Sequence, residues 1–339
     1  MFDALVFGTG INTEDSFHGI SFEEIKHGAE KIRPKHVTRG LGGGSLNVTI
    51  GLVRLGFSAN LIAFTARGDP EYLNIGAGID AVARREQFCY QNVPAKDVTS
   101  HATVYHFDGG THRIVGSRGR LAYWNEHRLT VRTLVENEPG RFWLVHGLLA
   151  VDWPQACEFL DFQRQLGVHR VLGVNNSLLE DSAVCKEVFS KTEYVFLNHQ
   201  ELAQILGRTQ NAFYNPEQIS RHLFDDEFCH HRQLRCIVVT CAERGSAMFQ
   251  RSDDHHAERV IQPPFEPPAG FVDGTGAGDA LVVGFIAGLC SNYSAQTCLW
   301  CGAANATLMV SRQGGSNMPR ARELNQYLAQ LGTSVSLSA

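Results

Sequence analysis

Residues 271–289 read FVDGTGAGDALVVGFIAGL, with Gly274, Gly276 and Gly278 at alternate positions directly before an apolar segment. Glycine this dense is destabilising unless the backbone must take a positive φ or come very close to something else. A helix beginning here adds unpaired N–H groups and the positive end of its dipole. The stretch therefore reads as a strand-to-helix turn built to receive an anion, with Asp279 at the junction. If Gly276, Ala277 and Gly278 turn into the helix, their N–H groups converge where the charge of a transferring phosphoryl group would be stabilised. A carboxylate beside them, Asp279, can accept the proton of an attacking hydroxyl, or it can simply be an acidic residue favoured at a helix start.

The rest of the chain alternates between two periods. FDALVFG (2–8), ANLIAFTARG (59–68), RFWLVHG (141–147), VHRVLGVN (168–175), EYVFLN (193–198) and RCIVVTC (235–241) are short apolar runs suited to buried strands. Each of the last four is expected to lead into a helical segment, which argues for βα units, a parallel sheet and helices on both faces. GGGSLNVTIGLVRLG (42–56) opens another helix, with Ser45 as a cap candidate. HATVYHFDGGTHRIVG (101–116) departs from the alternation: two β-forming runs flank Asp108-Gly109-Gly110, a hairpin signal. That hairpin and the polar stretch at 13–38 are expected to form a small accessory sheet on one α/β domain spanning 1–339. RVIQPPFEPPAG (259–270) reads as a proline-rich connection.

Composition narrows the partners. A formal charge of −5 supplies no basic field for a nucleic-acid backbone. The longest apolar run, Ala280 to Cys290, is too short for a membrane span. With no basic n-region at the N-terminus, the chain reads as a cytoplasmic protein. The nine cysteines are scattered, as expected of reduced thiols. Cys298 and Cys301 form a CxxC inside an apolar helical segment and read as core. Cys229, His230, His231, Cys236, His255 and His256 read as solvated surface rather than metal ligands. No P-loop is present, and VFGTGINTED offers Gly8 and Gly10 but Thr13 at the third position of a dinucleotide fingerprint.

Four motifs then occur in one order. VDGTGAGDA resembles the second signature of the ribokinase-like (PfkB) carbohydrate kinases, and GGGSLNVTIGLVRLG resembles their first. FLNHQELAQILG carries an NxxE at Asn198 and Glu201, and VVTCAERGS is similar to their VTxGxxG at Thr240 and Gly245. The resemblance implies a ribokinase-like three-layer α/β fold, with a mainly parallel central sheet, helices on both faces and a small β-sheet lid at about 13–38 and 100–120. It implies an ATP-dependent kinase acting on an alcohol of a sugar, with Mg2+ and, in some members, K+. Asp279 would be the catalytic base, and Gly276, Ala277 and Gly278 the anion hole. Asn198 and Glu201 would hold Mg2+ through water and, with Thr240, Gly245 and Thr275, the nucleotide. Asn12, Asp15, Gly42, Gly43 and Asn47 would line the acceptor pocket, and Asp273 with Thr275 would sit at a monovalent-cation loop. The lid would also pair two copies as a homodimer.

The sequence departs from this pattern in places. Gly274 stands where the family has threonine, Ala242 where it has the first glycine of VTxGxxG, and GSRGRLAYW where it commonly has GAN. Glu14 competes with Asn12 and Asp15 for the family's hydroxyl-binding acid. The acceptor is expected to be unphosphorylated, although Arg113, Arg118 and Arg120 near the hairpin could hold a phosphate. A nucleoside acceptor, with Tyr123 and Trp124 stacking a base, and a non-catalytic sugar-binding protein are the alternatives.

Overall fold

The computed structural model describes residues 3–8, 12–21, 34–66, 72–95, 100–107, 112–117, 143–147, 153–174, 182–205, 233–251 and 257–337, with residues 23, 129, 132, 133 and 207. Among them the main sheet has nine strands: β1 (Ala4–Gly8), β4 (Ala59–Ala66), β5 (Cys89–Ala95), β8 (Trp143–Gly147), β9 (His169–Gly173), β10 (Tyr194–Asn198), β11 (Cys236–Thr240), β12 (Ser246–Arg251) and β13 (Ala257–Gln262). Their order is β13-β12-β11-β10-β9-β8-β1-β4-β5. Pairing is parallel from β5 across to β11 and antiparallel at β11–β12–β13. The alternate neighbours on β10 explain its uninterrupted apolar sequence. Tyr194 and Phe196 pack edge-on to Phe285, while Val195 and Leu197 on the other face are buried too.

Two expectations are corrected here. RCIVVTC is followed not by a helix but by a 3-10 turn (Ala242–Arg244) and the antiparallel β12. RVIQ belongs to β13, so the proline-rich connection begins after it. β12 lies between β11 and β13 and is buried from Ser246 to Phe249, but its apolar run is only Ala247–Phe249, and the edge strand β13 exposes Glu258 and Arg259. Cys236 opens β11 and is buried, so it is not part of a solvated histidine–cysteine cluster. Cys229, His230, His231, His255 and His256 lie outside the described residues. Cys298 and Cys301 are buried core side chains, as expected.

The helices that place the site are α1 (Gly44–Arg54), α6 (Ala277–Cys290) and α7 (Ala295–Val310); the others are α2 (Tyr72–Glu86), α3 (Trp153–Gln165), α4 (Ser182–Ser190), α5 (His199–Ile205) and α8 (Ala321–Gln330). Small residues let α6 and α7 approach closely. A Cβ on Gly284 would come within 2.5 Å of Cys301 O, and one on Gly302 within 2.7 Å of Leu281 O. Asn305 Nδ2 donates to Ala280 O at 2.8 Å in the same seam. Gly51 brings α1 against Val283 of α6, and Arg54 at its far end pairs with Glu86 and donates to Met318 O. The two helices therefore lie side by side. None of the helices among the described residues is long and apolar enough to cross a membrane.

A second sheet has the order β3-β2-β6-β7, from β2 (Asn12–Ile20), β3 (His36–Gly42), β6 (Ser100–Phe107) and β7 (His112–Ser117). The expected hairpin is β6–β7, antiparallel, and β2 runs parallel to β6. Its turn at Asp108-Gly109-Gly110 lies outside the described residues. Ser45 does not cap α1: the N-cap is Gly43, with φ 106°, which directs β3 into the helix.

Candidate active site

The starts of α1 and α6 meet at Asp279. Its Oδ2 accepts from Asn47 Nδ2 at 2.8 Å, across 232 residues of sequence. A Cβ on Gly44 would lie 3.0 Å from Asp279 Oδ1, so the bare first residue of α1 makes the room the carboxylate occupies. Burial raises the Asp279 carboxyl above the ordinary aspartate value, and the Asn47 amide opposes that rise. A carboxylate moved toward neutrality in this way is a better match for taking a proton from an alcohol.

The glycine turn has the form the sequence suggested. Gly276 is the N-cap of α6 with φ 78°, and a Cβ on it would lie 2.6 Å from Gly315 O. Ala277 N–H turns back to Gly274 O at 3.3 Å. Gly278, exposed in the first turn, stands where N–H groups lack an intrahelical acceptor. Asp273 braces this turn from behind. Its Oδ1 accepts from Thr275 N (2.9 Å) and Oγ1 (2.7 Å), and its Oδ2 accepts from Gly314 N (3.1 Å). Burial disfavours the Asp273 charge, yet these donors and His106 hold its carboxyl below the ordinary range.

Beside Asn47, the partner of Asp279, opens a cleft of about 320 Å³ between the small sheet and the two glycine segments. Ser16, His18, His36, Thr38, Asn47 and Gln313 are among its lining, as are Gly42 and Thr275. Asn47 Oδ1 is buried and has no hydrogen-bond partner among the described residues. A buried amide oxygen of this kind is short of one hydrogen-bond donor. The backbones of Asn12 and Asp15 pair with Gly42 and Arg39, but their side chains and that of Arg113 lie outside the described residues, as do Arg118, Arg120, Tyr123 and Trp124.

Asn198 and Glu201 are brought together by a reciprocal helix cap. Asn198 Oδ1 accepts from the N–H groups of Gln200 and Glu201, both at 2.9 Å, and Glu201 Oε2 accepts from Asn198 N at 2.7 Å. Burial pushes the Glu201 carboxyl up to about 7. The cap sits at the C-terminal end of β10, where Asn198 is in register with Thr240. Gly245 has φ 87°, and a Cβ there would meet Gln262 O at 2.2 Å, so its glycine is required by the close approach of the β11–β12 turn to the end of β13. Ala242 adopts φ 49°, a left-handed conformation that glycine takes more readily.

Sequence reasoning missed Gly44, the Gln313–Gly315 segment and the histidines of the cleft. A glycine pair after α7 signals a turn; nothing local marks His18, His36 or His106, which lie on three separate strands.

Comparison with known proteins adds the family. Residues 18–322 match the model of the pfkB family carbohydrate kinases. A curated ribokinase of Arabidopsis thaliana is 28% identical over 166 residues, 49% of this chain and 40% of that protein, so the match spans less than half of its length. Phosphofructokinase-2 from Escherichia coli, solved with substrates and products, shares the fold with a TM-score of 0.76, 18% identity and coverage of 97% and 99% of the two chains. Arabidopsis thaliana ribokinase, solved with ribose and ATP, gives a TM-score of 0.71 at 20% identity, with the same 97% and 99% coverage.

Proposed function

This chain belongs to the pfkB family of carbohydrate kinases, and from that premise we propose that it transfers the γ-phosphoryl group of ATP to a hydroxyl of a ribose- or fructose-like sugar. The observation that carries the reading is Asp279, set between two helix starts and held by Asn47, which itself lines the cleft. A sugar hydroxyl beside Asp279 gives up its proton to that carboxylate as its oxygen attacks phosphorus in line. The bond from phosphorus to the leaving oxygen breaks, and the turn at Gly276–Gly278 stabilises charge on the transferring group. Thr240, Gly245 and Thr275 border the nucleotide in this reading.

Mg2+ fits Glu201, whose Oε2 takes the Asn198 N–H while the carboxylate keeps further acceptor capacity for a metal-bound water. When bound, the ion neutralises phosphate charge. Asn198 spends its carbonyl oxygen on the cap and contributes by fixing Glu201. K+ fits Asp273 less well, because both its oxygens already accept hydrogen bonds within the protein, and we route no step through that ion.

The acceptor is read as unphosphorylated. The described lining offers hydroxyls and amides, with Arg39 its one full-time cation. The small sheet serves as the lid, and its outer strands expose Val37 and Val115, an apolar face suited to pairing with a second copy. Sedimentation velocity giving only monomer at assay concentrations would remove that pairing.

The test is kcat/KM for ribose, fructose and adenosine against fructose 6-phosphate and tagatose 6-phosphate, with Asp279→Asn in parallel. The near-isosteric variant should lose roughly 10²- to 10⁴-fold in turnover while still binding ATP. Near-wild-type turnover refutes the base assignment. A preference for a phosphorylated acceptor refutes the acceptor reading, and a preference for adenosine selects the nucleoside alternative. No transfer to any alcohol, with sugar binding retained, selects a non-catalytic protein.

A further inference from the structure

Three imidazoles from three strands of the small sheet form one stack. His18 on β2 lies between His36 on β3 and His106 on β6, with ring centroids 4.4 Å apart on each side and interplanar angles of 14° and 9°. His18 and His106 are buried. Stacking alone would account for three aromatic rings on adjacent strands. The ring edges suggest more than packing. Gln313 Nε2 donates to His18 Nδ1 at 2.8 Å, which leaves His18 Nε2 to donate to Thr38 Oγ1 at 3.1 Å. His106 Nδ1 stands 3.5 Å from Asp273 Oδ2.

Both contacts leave the sheet and end on the segments that shape the anion turn. Asp273 joins those segments, holding Thr275 on one oxygen and Gly314 on the other. Gly276 then packs on Gly315 with no room for a side chain. A shift of the 313–315 segment is thus transmitted to the start of α6, where Asp279 and Gly278 lie. Two of these strands, β2 and β3, line the cleft through Ser16, His18, His36 and Thr38. An acceptor resting on the sheet is therefore joined to the anion turn by two side-chain contacts.

Resting on the kinase reading above, we propose that His106 and His18 are positioning residues for phosphoryl transfer, acting through Asp273 and Gln313 to hold the anion turn in register with the lid. They touch none of the reacting atoms. Their effect belongs to the transition state, because the turn stabilises charge that develops as phosphorus moves.

Two substitutions of His106 separate this role from packing. His106→Phe keeps a ring in the stack and removes the donor facing Asp273. His106→Asn removes the ring and keeps an N–H donor near the position of Nδ1. With the best acceptor from the panel, His106→Phe is expected to lose roughly tenfold in kcat, with both KM values within about twofold of wild type. His106→Asn is expected to keep kcat within about threefold even if its melting temperature falls. Gln313→Met, at an exposed position, should lower kcat in the same direction. It gives the reading if neither His106 variant folds.

Wild-type kcat in His106→Phe with a loss in His106→Asn, or wild-type kcat in Gln313→Met, overturns the positioning role and leaves a packing stack. A wild-type protein that phosphorylates nothing overturns the kinase reading itself, and the positioning role with it. The two failures are therefore distinguishable.

Discussion

Glu201 closes the cap at the head of α5 from a largely buried position, and burial lifts its carboxyl to about 7 from an ordinary 4.5. A carboxyl whose folded value lies above its unfolded value favours the folded state in its protonated form. The stability it contributes is complete below about 4.5 and is lost as pH rises through about 7. The separation of roughly 2.5 pH units corresponds to about 3 kcal/mol, an order-of-magnitude figure. Glutamine at position 201 stays neutral at every pH and can still accept from Asn198 N–H, as capping boxes with Gln do. Glu201→Gln should therefore stabilise the free protein increasingly with pH. The advantage over wild type should grow by roughly 2.5 kcal/mol between pH 5 and pH 8.5. Urea unfolding of both proteins across that range measures it directly. An advantage that does not change with pH, or a variant less stable at pH 8.5 than wild type, would refute the reasoning. In the proposed function the same substitution should weaken the response of rate to Mg2+ more than it weakens acceptor binding. The gain in stability and the loss in metal response would then share one buried carboxylate.

Two further substitutions probe the site's glycines and near-glycines. Gly44→Ala places a Cβ 3.0 Å from Asp279 Oδ1, so the carboxylate must shift by a few tenths of an ångström. Turnover should fall about tenfold while the melting temperature holds or rises, since alanine improves helix propensity by up to ~1 kcal/mol; unchanged turnover would show that the carboxylate's position is not critical. Ala242→Gly relieves a left-handed backbone at φ 49°. Relief of about 1–2 kcal/mol against an entropic cost of about 0.5–1 kcal/mol predicts a small rise in melting temperature, and a fall would mean that the alanine methyl makes a contact worth more than the strain.

The primary sequence determined whatever rests on local spacing. The glycines of 274–278 had to form a turn with a positive φ, and Gly276 at 78° does. The apolar runs at β1, β4 and β8–β11 could be buried only in a sheet covered on both faces, and NxxE already carried the spacing of a helix cap. β12 and β13 were not legible, because β12 has only the short apolar run Ala247–Phe249 and the edge strand β13 exposes Glu258 and Arg259. Only the tertiary structure decided the pairs that chemistry would use. Asn47 reaches Asp279 because α1 and α6 pack through Gly51 and Val283. His18, His36 and His106 stack because β2 lies between β3 and β6. Asp273 reaches Gly314 because α7 returns the chain to the turn that precedes α6. Such contacts join residues tens to hundreds of positions apart, and no local periodicity encodes which strand or helix will be the neighbour.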